Sequence, residues 1–213
     1  MRNLFEPAAS VLALAFAVMI GAALAPAAFA HDAHAGHHVA PETTRSTTDY
    51  AIPDVKLVRQ DGETVLLSDE LSDGRPIALN FIYTTCTTIC PLTSQTFAEL
   101  QAKLGPRQSA VHLVSISIDP EQDTPARLRD YAKKFGAGPA WHFYTGTRAA
   151  SIATQRAFNV DRGDKMNHAP VTVLRTAPGK PWVRLDGFAT SDQMLKELRD
   201  TVAAEDRHAH HHQ

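Results

Sequence analysis

The chain has 213 residues, 21 Lys and Arg against 23 Asp and Glu, a formal net charge of −2 and two cysteines. A near-neutral balance with no basic stripe and no aromatic-basic interleaving lacks the electrostatic footprint of a nucleic-acid binder. Both cysteines fall in Cys86-Thr87-Thr88-Ile89-Cys90, which excludes a framework of several disulfides. A bridge there would close a loop too short to remove much entropy from the unfolded chain, so the pair reads as chemistry rather than stapling.

The chain opens on Met1-Arg2-Asn3, an apolar run from Val11 to Ala25, and Ala28-Phe29-Ala30, the small-x-small form of a signal-peptidase site. Residues 1–30 are therefore read as a signal peptide, with a retained N-terminal anchor as the alternative; the run is about fifteen residues, short of the roughly twenty that span a bilayer. The expected location is the periplasm, at the inner membrane only if the segment is kept. Residues 31–49, rich in His, Ala and Thr without apolar periodicity, predict a flexible tether, and 205–213 a second His-rich tail. One domain is placed at 50–204.

Within it, Val55 to Arg59 and Glu63 to Leu67 flank Asp61-Gly62, a hairpin signal. Pro76 to Tyr83 is an apolar run of strand length. It leads through Thr84-Thr85-Cys86 to a helix predicted over Pro91 to Leu104, with Leu92, Thr96, Phe97, Leu100 and Leu104 at helical spacing and Gly105-Pro106 as its stop. A strand follows at Val111 to Ile118. Thr124-Pro125 then opens a helix to about Phe135, with Thr124 as N-cap and Pro125 at the first helical position. Next come a short strand at Trp141 to Tyr144, a helix near Arg148 to Phe158, two strands (Val171 to Arg175, Trp182 to Leu185) joined at Pro178-Gly179-Lys180, and a last helix from about Ser191 to Ala203. This order predicts an α/β fold: a mixed central sheet with helices on both faces and an N-terminal β-hairpin. Strand, cysteine turn, helix is the thioredoxin-like active-site arrangement.

At a strand-to-helix junction the unpaired backbone N–H groups and the helix dipole favour negative charge, so both thiols should ionise more readily than usual. A four-residue offset on a helix puts the two sulfurs on one face, where they can share a metal or form a disulfide. His112 and His142 fall on strands and read as core or surface residues, Met166 as packing. The histidines at 31, 34, 37 and 38 and at 208, 210, 211 and 212 are compositional metal-binding signals with no fixed geometry, or plain solvated tails.

Phe81 to Pro91, with its Cys-x3-Cys, resembles the signature of the Sco/SenC family of copper-delivery proteins. Ser117-Ile118-Asp119-Pro120-Glu121-Gln122-Asp123-Thr124-Pro125, Trp141 to Thr147, and Asn167-His168 before the Val171 strand resemble further blocks of that family in the same order. The resemblance implies one copper ion held by Cys86, Cys90 and His168, and a role for Asp119 behind the site or in partner docking. It also implies a metallochaperone that takes copper from a periplasmic donor and passes it to a respiratory copper enzyme such as cytochrome c oxidase. The chemistry agrees: thiolates select Cu(I), and imidazole suits copper as Cu(I) or Cu(II). The chain departs from the family in Thr87-Thr88, where Pro-Asp is common, and in a short Lys165-Met166-Asn167 lead to the histidine. The competing class is a thiol-disulfide reductase that uses Cys86 and Cys90 as a redox pair to keep a target's cysteines reduced, a role that could coexist with the first. A peroxidase of peroxiredoxin type and a plain interaction module explain fewer of these features.

Overall fold

The computed structural model describes residues 43–199. The leader, most of the tether and the C-terminal tail lie outside them. In chain order the elements are β1 (Thr44–Thr48), β2 (Lys56–Arg59), β3 (Thr64–Leu66), α1 (Leu67–Glu70), β4 (Ile77–Ile82), α2 (Ile89–Leu104), β5 (His112–Ser117), α3 (Pro125–Lys134), β6 (Trp141–Gly146), α4 (Arg148–Ala157), β7 (Val171–Arg175) and β8 (Trp182–Asp186). Residues 191–199 form the final helix, α5.

All eight strands join one sheet in the order β1-β8-β7-β4-β5-β6-β2-β3. Its centre is parallel, β4 beside β5 and β5 beside β6, and β7 runs antiparallel to β4. Every residue of β4 and β5 is buried, as strands covered on both faces must be. The register separates the faces. One carries Trp141 and Phe143, which meet Phe97 of α2 at 5.8 Å and Tyr131 of α3 at 6.0 Å. Lys103 and Glu99 of α2 in turn hold Asp192 and Ser191 of α5. The other face carries Phe81, 5.6 Å from Phe158 at the end of α4, and Phe158 lies edge-on to Trp182.

The local signals behave as their chemistry requires. Asp61-Gly62 turns the β2–β3 hairpin, with Gly62 at φ 96°, a value open to glycine. The Thr124 hydroxyl accepts the Arg127 N–H at the start of α3, and Phe135 and Gly136 close that helix.

Two expectations need correction. The stretch taken as tether contains β1, which pairs antiparallel with β8 through five residues and is tied to α5 by a two-point Arg45–Glu197 ion pair. Its sequence is polar and four of its five residues are exposed, so no apolar alternation announced it; the strand rests on β8's backbone. In α2, Leu92 points outward at 58% exposure and Thr96 is only half-buried. The buried stripe is instead Cys90, Ser94, Phe97, Leu100 and Leu104, because the Ser94 hydroxyl finds the Tyr131 hydroxyl at 2.9 Å and can be buried at little cost.

Candidate functional site

Strand β4 ends at Ile82, and the chain turns through Tyr83 and the two threonines, with the Cys86 N–H donating to the Tyr83 carbonyl at 3.1 Å. Helix α2 begins three residues later, so Cys86 caps it from outside: its Sγ accepts the Cys90 N–H at 3.4 Å. The first N–H groups of a helix have no partner within the helix, and a thiolate is well placed to take one. Both cysteines are free thiols, 6% and 1% exposed.

Their acidities diverge. Burial pushes the Cys86 thiol up, but the Cys90 and Thr88 backbone N–H groups, the Cys90 thiol and the Tyr83 hydroxyl hydrogen-bond the sulfur and bring it to about 7 from an ordinary 9.0. For Cys90 burial wins, and the negative charges of Cys86 and Asp123 add to it, so this thiol is held well above its ordinary value. A near-neutral outer thiolate backed by a protonated inner thiol is the division that thiol exchange uses, and it leaves one sulfur ready for a soft metal. Burial and the nearby Cys86 sulfur push the Tyr83 hydroxyl up to about 12. That hydroxyl also lies 3.8 Å from Met166 Sδ.

Asp119 and Asp123 divide the work of holding the surrounding loops. Asp123 is fully buried and accepts the Thr84 N–H at 3.2 Å, the Thr84 hydroxyl at 2.5 Å and the Ser117 hydroxyl at 2.6 Å, clasping the cysteine turn to the end of β5. Burial raises its pKa, and these donors partly offset the rise. Asp119 meets neither thiol. Its carboxylate takes Lys165 Nζ at 2.5 Å, and Lys165 opens the one-turn segment Lys165–Asn167 that leads into His168. Asp119 thus positions the histidine loop. Sequence reasoning singled out Asp119 and passed over Asp123, whose only signal in the sequence was a second carboxylate within the same short motif.

His168 is buried, and its Nε2 lies 3.2 Å from the Phe81 carbonyl of β4. Burial lowers its pKa, so the ring is neutral; Nε2–H donates to the carbonyl and the lone pair is left on Nδ1. Among the described residues one trio of His, Cys, Asp and Glu ligand atoms lies within 4.8 Å of one another, and it is Glu70, His112 and His142. The structure therefore brings the two sulfurs together and places His168 against the same strand, without closing the three into one ligand set. Beside His168 opens a cleft of about 620 Å³ whose walls include Asp119, Arg148, Arg162 and Lys165 but neither cysteine.

Residues 43–203 match the family described as SCO1/SenC. This chain belongs to the SCO1/SenC family. A SCO2-like protein of Rickettsia conorii is 35% identical over 157 residues, covering 69% of this chain and 75% of its own. The SCO1 protein homolog of Bacillus subtilis is 33% identical over 105 residues, 49% of this chain and 53% of its own, so the chain spans about half the length of that relative. Among solved structures, BsSco, described as a member of the Sco family of cytochrome c oxidase assembly proteins with a disulfide switch, superposes with a TM-score of 0.61 at 26% identity, covering 74% of this chain and 96% of its own. Copper-bound ScoI of Arabidopsis thaliana gives 0.59 at 25% identity, covering 72% and 99%. The fold is thioredoxin-like, as the order of elements predicts.

Proposed function

We propose that this SCO1/SenC chain is an exported copper metallochaperone. Cys86 and Cys90 hold copper, His168 supplies a third ligand through a ring nitrogen, and the ion passes to a copper-accepting respiratory enzyme such as cytochrome c oxidase. One observation carries the reading: two free sulfurs face each other at the start of α2, one of them with a thiol near neutrality. A thiolate pair is a soft donor set and selects Cu(I). Copper in the Arabidopsis relative and oxidase assembly in the description of BsSco support the assignment.

The chain's residues act on the cargo by positioning. Asp123 fixes the turn that presents Cys86, and Asp119 through Lys165 fixes the approach of the histidine loop. His168 carries a lone pair on Nδ1, so it can ligate without first losing a proton, either at that nitrogen or after the ring leaves the Phe81 carbonyl.

The split acidity of the two thiols favours a second reading, reduction of a target disulfide. The Cys86 thiolate attacks one sulfur of the target disulfide, releasing the other as a thiolate and forming a mixed disulfide; the Cys90 thiol, giving up its proton, then attacks Cys86 Sγ and displaces the bonded target sulfur. Two electrons pass to the target, which leaves as a dithiol, and this chain is left with a Cys86–Cys90 disulfide.

His168→Ala separates the two readings. Under copper transfer the variant retains copper at least about tenfold less tightly and delivers less of it to an apo acceptor, yet still reduces that acceptor's disulfide. Undiminished copper delivery by His168→Ala would overturn the metallochaperone assignment as stated.

A further inference from the structure

The parallel strands that carry the cysteine turn at one end bring a different donor set together at the other. Register pairs Val114 with His142 and Ile116 with Tyr144, so by strand alternation His112, His142 and Tyr144 share one face of β5 and β6. Helix α1 ends at Glu70, whose carboxylate reaches the Tyr144 hydroxyl on that face. His112 Nε2 is 3.2 Å from His142 Nδ1, and the Tyr144 hydroxyl is 3.3 Å from the first and 3.4 Å from the second. Tyr144 also hydrogen-bonds the Glu70 carboxylate. The nitrogens of His112 and His142 and a Glu70 oxygen all lie within 4.8 Å of one another.

We propose that Glu70, His112 and His142 form a second metal site, for a borderline divalent ion of the Zn²⁺ class, at the end of the sheet opposite the cysteines. Three observations point there. Two ligands bound at about 2.0–2.1 Å in tetrahedral geometry stand roughly 3.3 Å apart, which is the spacing of the two facing nitrogens.

The proton inventory also favours a cation. His112 Nδ1 lies 3.2 Å from the Asp73 carboxylate, out of line for a hydrogen bond, and the ring meets the Glu70 backbone carbonyl as well. The His142 ring meets the Pro139 carbonyl. With the N–H of each neutral imidazole on its outward nitrogen, both rings offer a lone pair to the gap. Outward carboxylates and carbonyls accept that N–H behind metal-bound histidines. The one nearby hydroxyl proton, on Tyr144, goes to Glu70.

Carboxylates outnumber guanidiniums around the site, although Arg75 and Arg59 are the charges that weigh most on the two rings. Arg59 is engaged by Asp61 and Glu63 and stands 4.0 Å from Glu70; Arg75 is bound by Asp73; Arg175 donates to the Leu71 carbonyl. These three guanidiniums face four carboxylates, Asp61, Glu63, Glu70 and Asp73. His112 is 1% exposed, whereas His142 and Glu70 are half-buried and give the ion its way in. Imidazole and carboxylate suit Zn²⁺ and Cu²⁺, while Cu(I) prefers the thiolates. The six residue steps from His112 to Ile118, at about 3.3 Å each, put the two sites roughly 20 Å apart, so each can fill without the other.

The test uses the full chain carrying Cys86→Ser and Cys90→Ser, which removes the thiol site, titrated with Zn²⁺ alone. The expected result is a shift of the ring nitrogens of His112 and His142 in long-range imidazole ¹H–¹⁵N spectra, with a rise in Tm. Adding Glu70→Gln or His142→Gln should weaken the zinc responsible for these changes at least about tenfold. Zinc that moves only the histidines of 31–38 and 208–212, leaving His112 and His142 where they were, overturns the proposal. So does undiminished zinc affinity at this site in a folded Glu70→Gln variant. The spectrum of the Cys-to-Ser parent decides the matter even if His142→Gln fails to fold.

Discussion

The two ends of the parallel strands handle donor atoms differently. At the carboxyl end of β4 the sulfurs come from one short stretch, mounted on a turn and the first turn of α2, with Cys86 held by N–H groups and by a loop that Asp123 clasps. At the opposite end the nitrogens and oxygens come from strand and short-helix positions far apart in the chain, aligned by register. A turn lets sulfur–sulfur separation change as metal binds or a disulfide forms; strand-borne rings buried in a sheet cannot move without moving the core. The first geometry suits an ion that must leave, the second an ion that stays.

The comparison can be broken most sharply at the sulfurs. Replacing either Cys86 or Cys90 with Ser should weaken Cu(I) retention more than about a hundredfold, beyond what outer partners of a metal ligand usually cost, while leaving Zn²⁺ binding at the histidine end unchanged. Competition with a Cu(I) chelator and zinc titration of the same variants check both halves.

Asp123→Ala should destabilise the fold by about 3 kcal/mol in urea unfolding, because the Thr84 N–H and hydroxyl and the Ser117 hydroxyl lose their buried acceptor. It should also slow copper uptake by loosening the turn. An effect on stability equal to that of an exposed substitution would show that the clasp does not form.

The paired thiols also predict a pH signature. Cys86 is more acidic folded than unfolded, so the reduced protein gains stability as pH rises from about 7 toward 9 and loses that gain as pH falls back through 7. Cys90 is less acidic folded, so its contribution is intact below the ordinary 9.0 and declines above it. Their joint contribution should peak near pH 9, about 2 kcal/mol above its value at pH 6, and vanish in the double serine variant. Iodoacetamide should modify Cys86 with a midpoint near pH 7 and spare Cys90. Equal modification of both would contradict the split.

Lys165→Met is the smallest perturbation. The Asp119–Lys165 pair is partly exposed, so stability should change by less than about 1 kcal/mol, while the His168 loop loses its tether and copper retention falls modestly. A copper affinity equal to that of the wild type would remove Asp119 from the positioning scheme.

The elements legible in the sequence share a cause: their signals lie within a few residues. The Asp61-Gly62 hairpin, the Thr124 cap, the buried strand before the cysteines and the helix after them are set by local sterics, patterning and capping, and the Cys-x3-Cys spacing keeps the two sulfurs near each other, although Cys86 precedes the helix instead of sharing its face. What lay out of reach required contacts across the fold. The pairing of polar β1 with β8, the burial of Ser94 rather than Leu92 through a hydroxyl on α3, the clasp from Asp123 to Thr84 and the bond from His168 to the Phe81 carbonyl each depend on where a distant backbone lies. His112 and His142 illustrate this most plainly: on their own strands they look like core residues, and only the parallel register of β5 against β6, with Glu70 reaching in from the end of α1, turns two isolated imidazoles and a carboxylate toward one point. Periodicity assigns a side chain to a face, but which side chains share that face is decided by strand order and register, and those are set by packing the whole sheet.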